Sequence, residues 1–138
     1  MGRRVSRAEK TIVALSVAGG VVLCVIGLRF LIVPEAAASF FGIDKRSPGF
    51  APHAAIALRD LWLGLLLITL ALRRDWSGVG FWFGLGTLVC FGDAAIAASS
   101  SGRWGSIVFH VVSGLACLVI AAVVWSHARR WADPRPGS

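Results

Sequence analysis

Ala57-Leu58-Arg59-Asp60-Leu61-Trp62 lies inside an apolar run that continues to Leu72, and it puts two opposite charges there. Counted from His53 the run is about 20 residues long, the length a helix needs to cross the hydrocarbon core of a bilayer. Charged residues inside such a segment are costly, so they face a bundle interior, pair with each other and mark a site. The stretch therefore predicts a membrane helix with one polar face and neighbours to cover it.

Composition points the same way. Of 138 residues 57% are hydrophobic and 15% charged, with mean hydropathy +0.76. A soluble domain would be about a quarter charged. The apolar excess falls into four blocks of spanning length, which predicts an all-α fold. It is a four-transmembrane-helix antiparallel bundle in a single domain, multi-pass in the cell membrane with the lipid bilayer as its solvent. The net charge of +7 is no nucleic-acid footprint. The arginines cluster at the ends of apolar runs, where orientation signals and contacts with anionic lipid belong, and no basic patch is interleaved with aromatics for stacking on bases. Arg far exceeds Lys, and Asn and Gln are absent, a bias that suggests a GC-rich bacterial genome. Cys24, Cys90 and Cys117 each fall near the middle of an apolar run without CxxC spacing, so they are expected to be buried thiols, with no metal site and no cofactor.

In chain order, residues 1–10 form a basic N-terminus with Arg3, Arg4, Arg7 and Lys10. The first span, about 11–33, is too long for the h-region of a signal peptide and contains Arg29, so it is expected to stay uncleaved. Residues 34–52 form an outer loop. Pro34, Glu35 and Gly42 suit the start, first turn and C-cap of a short interfacial helix at 35–41. The second span, about 53–72, ends at Arg73-Arg74-Asp75. The link to the third, about 77–98, is so short that spans two and three should be antiparallel neighbours. Gly80-Phe81-Trp82-Phe83-Gly84 in the third span permits close helix approach, within the chain first and in a homo-oligomer second. The fourth span is about 106–126, and 127–138 is a basic tail, expected to be unstructured or to lie on the lipid surface. The N-terminus, the two–three turn and the tail together hold nine Lys/Arg, against three (Lys45, Arg46, Arg103) on the opposite side. The positive-inside rule then puts both termini in the cytoplasm.

On this topology Arg29, Arg59, Asp60, Asp93 and His110 all lie roughly 6–11 Å below the outer interface, at about 1.5 Å per helical residue. Helix faces support a common layer. His110, Ser113, Gly114 and Cys117 form one stripe, Gly86, Cys90 and Asp93 another, and His53, Ala57, Asp60 and Gly64 a third. Arg29 is nearly opposite the small stripe Ser16, Gly20 and Gly27 of the first span. Arg59 is about 100° around the helix from Asp60 and should face a neighbouring helix or a pocket wall. Two carboxylates and a histidine in low dielectric can have pKa values pushed apart, which makes Asp60, Asp93 and His110 the candidate acid–base residues. Arg29 and Arg59, with Glu35 at the rim, are the candidate ligand-binding residues for an anionic group. The same layer could instead serve only to fix helix register.

Arg29-Phe30-Leu31-Ile32-Val33-Pro34-Glu35, then Phe41-Gly42, Arg59-Asp60-Leu61, Asp93 and His110 follow an order and spacing that resembles a family of small bacterial and fungal membrane proteins, domain of unknown function 4267. The resemblance covers roughly residues 12–126. It implies four transmembrane helices and brings no catalytic assignment. A looser likeness is to DoxX-like four-helix proteins.

Two functional classes follow. One is a small-ligand or lipid-binding, or accessory, membrane protein whose charged layer holds a lipophilic or amphipathic small molecule. The other is a membrane-embedded acid–base enzyme, an isomerase or cyclase acting on a lipophilic substrate. No GxSxG elbow or HExxH helix is present. A small multidrug-type exporter would need a membrane-centre acid in the first span, which the chain lacks.

Overall fold

In hydrocarbon every backbone N–H and C=O must be paired within the chain, so apolar runs of this length become helices. The computed structural model describes residues 6–43 and 50–132, with backbone alone for residue 50 and residues 129–132. It contains α1 (Arg7–Ile32), α2 (Pro34–Phe41), α3 (Phe50–Leu72), α4 (Trp76–Ser100) and α5 (Trp104–Ala132). All but α2 are long and apolar enough to cross a membrane. The described residues include no strand. Arg3 and Arg4 of the N-terminus, Lys45 and Arg46 of the loop and Arg135 of the tail lie outside the described residues.

Local chemistry sets the boundaries. A capping box starts α1 four residues ahead of Thr11: the Glu9 N–H donates to Ser6 Oγ (3.1 Å) and the Ser6 N–H to Glu9 Oε2 (2.9 Å). Val33, restricted by the proline after it, leaves the helical region, and Pro34 opens α2 at its first position. Gly42, at φ +99°, ends α2 in a left-handed C-cap. Asp75 caps α4, its Oδ1 accepting from the Gly78 N–H at 2.9 Å. The last helix runs through residues 127–132, where the sequence reading has a loose tail. The physical reason is that Ala128 to Ala132 are all acceptable helix residues and the first proline comes only at Pro134.

The long helices pack as two pairs, α1 with α3 and α4 with α5. Small residues let the first pair approach closely. A Cβ on Gly20 would lie 2.7 Å from the Gly64 carbonyl oxygen, and one on Gly27 would lie 2.7 Å from that of Ala57. The Ser16–Gly20–Gly27 stripe is thus the α1 face that α3 covers. In the second pair the Gly80–Gly84 face of α4 is filled by the indole of Trp125 from α5, 2.5 Å from where a Gly80 Cβ would stand. Gly20, Gly27, Gly64 and Gly80 therefore serve packing within the chain.

α3 and α4 follow one another across the short turn at residues 73–75. They meet near their turn, where Trp82 Nε1 donates to the Leu63 carbonyl at 3.1 Å, but each packs chiefly against another helix. The reason is that their small residues face α1 and α5, while large side chains face the space between them.

Two plugs join the pairs. At the end bearing the described termini, Ile12, Leu67, Ala71, Val79, Phe83, Ala121 and Val124 form a core contributed by all four long helices. At the other end α2 lies across the bundle, with Phe30, Ala37, Ala38, Phe41 and Ala57 packed together. Leucines and valines such as Leu58, Leu65, Leu88, Val112 and Val119 cover the outside and are exposed, as a lipid-facing surface requires.

Candidate functional site: a cavity between the helix pairs

The last four carbonyls of a helix have no partner within it. In α2 the Ala38 carbonyl accepts from the N–H groups of Gly42 (3.0 Å) and Ile43 (2.9 Å). The next three are taken by the side chain of Arg103, just ahead of α5, and by two side chains of α5. Arg103 donates to Ser39 O (3.0 Å), Ser106 Oγ to Phe40 O (2.8 Å) and His110 Nε2 to Phe41 O (3.1 Å). This latch holds α2 over one end of the bundle. It also fixes the histidine tautomer, because a carbonyl only accepts. The proton is assigned to Nε2, and Nδ1 of the neutral ring is left as an acceptor.

Beneath α2, between the two helix pairs, lies a cavity of about 540 Å³. Its walls are mostly apolar, with Leu63, Leu67, Trp82 and Phe83 toward the termini and Phe30 and Phe41 toward α2. Trp62, Leu66, Phe81 and Leu85 line it yet are exposed, so the gap between α3 and α4 opens laterally. Cys90 and Cys117 are part of its wall.

The polar groups gather at the α2 end. Arg59 bridges two carboxylates: its Nε donates to Asp60 Oδ1 at 3.0 Å and its Nη2 to Asp93 Oδ2 at 3.4 Å. Asp60 is 3% exposed, Asp93 7% and His110 4%, and all three line the cavity. The length of the arginine side chain resolves the 100° between Arg59 and Asp60, since the guanidinium reaches back to its neighbour and across to α4 at once. Arg29 reaches the cavity only at its rim. It is exposed, with its guanidinium 5.9 Å from the centre of the Phe40 ring. Glu35 lies on the exposed side of α2 and does not line the cavity. His53 is buried and stacks on Phe30, with ring centroids 6.1 Å apart. The described residues contain no cluster of three or more His, Cys, Asp or Glu able to hold a metal.

The stripes read from the sequence divide in the fold. Gly86, Cys90 and Asp93 all line the cavity, as do His110, Ser113 and Cys117, whereas Gly114 packs on Cys90 and Phe91. Sequence reasoning missed the aromatic walls and the α2 latch. The first look like lipid-facing residues, and the second joins positions 64 to 69 residues apart.

The model of a family described as a domain of unknown function, DUF4267, matches residues 20–124. The chain belongs to this family. The DUF4267 match runs from α1 to α5 and includes every cavity-lining residue except Gly19. No curated protein and no solved structure matches the chain, so the looser DoxX-like resemblance has no match to support it.

Proposed function

We propose that this protein binds a small amphipathic molecule taken laterally from the cell membrane, as a ligand-binding or accessory protein. The polar end of the ligand lies among Arg59, Asp60, Asp93 and His110, and its apolar part fills the cavity. The observation that carries the reading is that the charged residues and a laterally open apolar space of about 540 Å³ form one site. Ligand pockets are usually of about 300–1,000 Å³, mostly apolar, with a few convergent polar groups. A lock that only fixed register would need no such space. The excess of Lys/Arg at the termini and the α3–α4 turn supports a cytoplasmic location for both ends.

Gly86→Leu provides the test. A Cβ there has nothing nearer than 3.6 Å, so the leucine fits and extends into the cavity. Mass spectrometry of the protein purified in mild detergent should find a co-purifying small molecule that Gly86→Leu loses. The same content in both proteins contradicts the proposal.

The bare Nδ1 of His110 favours a second reading, an acid–base enzyme in which His110 or Asp93 takes a proton from a lipophilic substrate and Asp60 orients it. Turnover that survives Asp60→Asn and His110→Ala would exclude it.

A further inference from the structure

We infer that the ligand of this cavity is a lipophilic cation, an amine-bearing amphiphile whose ammonium sits between Asp60 and Asp93. The inference rests on the cavity being a binding site and adds the chemical class of its occupant.

The first support is the charge at depth. Two buried carboxylates share one arginine, and Arg59 uses one nitrogen on each. With both carboxylates ionised and the His110 ring neutral, the deep part of the site carries one negative charge more than Arg59 balances, costly in an apolar surrounding and satisfied by a cation. Arg29 does not supply it, because it lies exposed at the rim over Phe40.

The second support is which atoms remain for a ligand. Asp60 Oδ2 and Asp93 Oδ1 accept no hydrogen bond from the described residues. The Nε2 proton of His110 is committed to Phe41, so a neutral ring would offer an acceptor at Nδ1. Beside the Arg59 guanidinium, which already spans both carboxylates, this end thus offers acceptors, which fits the N–H groups of an ammonium. A carboxylate or phosphate head would meet like charge instead, and such repulsion discriminates between ligands.

The third support is the wall. Phe30 and Phe41 line the space at its polar end, and aromatic faces attract cations. The lateral opening between α3 and α4 gives an amphiphile a route from the bilayer without passing through water.

The test uses three probes with one tail: decylammonium, decanol and decyl sulfate, added to the full chain in neutral-detergent micelles at pH 7. Saturable change in tryptophan fluorescence and the rise in unfolding temperature are read together, with Gly86→Leu as the blocked control. The inference expects decylammonium to half-saturate at a concentration at least tenfold below decanol, with decyl sulfate weakest. It expects the preference to vanish in Asp60→Asn/Asp93→Asn, and in Asp93→Asn alone should the double variant not fold. Equal binding of the three probes, or preference for the sulfate, overturns the cation assignment and leaves the cavity reading standing. No saturable binding by any probe, with wild type and Gly86→Leu alike, overturns both.

Discussion

Arg59 is the residue on which the polar layer depends. Among the described residues it is the arginine bonded to both Asp60 and Asp93, so its removal leaves two buried carboxylates without that partner. Breaking a buried ion pair from one side costs about 3–5 kcal/mol. With the Arg59 side chain 35% exposed, Arg59→Ala should cost about 3 kcal/mol, the lower end of that range, measured as equilibrium unfolding in detergent. Loss below about 0.5 kcal/mol would mean that the bridge does not hold the helices. Ser16 is the opposite case. Its hydroxyl is fully buried and has no hydrogen-bond partner. Replacing an unsatisfied buried group with an apolar one is neutral or favourable, so Ser16→Ala should leave the unfolding temperature unchanged or raise it. At this scale much of the site was legible. Charges are conspicuous in apolar runs, and helical spacing assigns Asp93 and Cys90 to one face. It could not show that Arg59 reaches both carboxylates, because spacing gives the direction of a Cβ and not the reach of a long side chain.

At the scale of the element, helix contacts depend on small residues, and glycines inside two spans should behave differently. A Gly64 Cβ would stand 2.5 Å from the Gly20 carbonyl oxygen, while one on Gly92 would meet nothing within 4 Å. Gly64→Ala should destabilise by about 1–3 kcal/mol through overpacking. Gly92→Ala should be neutral or stabilising, since alanine is the better helix residue by about 1 kcal/mol. Thermal unfolding of the two variants side by side checks the contrast. The position of α2 depends on side chains at and just before the start of α5 that satisfy its terminal carbonyls. Arg103→Ala with Ser106→Ala should speed hydrogen exchange of the α2 amides while leaving those of α3 unchanged; unaltered α2 exchange would show that the latch does not hold it. The existence of α2 was readable from Pro34 and Gly42, because capping is local chemistry. Its latch was not, because it joins residues distant in the chain.

Over the whole molecule, the two helix pairs and the space between them set what the protein can do. Four apolar spans were evident from composition. The pairing was not, because periodicity identifies the small face of a helix without naming the helix that covers it. The short α3–α4 turn makes these helices neighbours in the chain, yet they separate enough to leave the cavity open. That separation, with the charged bridge at one end, is the central claim. The most direct measurement is an experimental structure of the protein in native-lipid nanodiscs. The account predicts an elongated density between the α1–α3 and α4–α5 pairs, with its polar end against Asp60 and Asp93. Helix pairs closed on each other, with Trp62 and Phe81 filling the space and no density within it, would contradict the account.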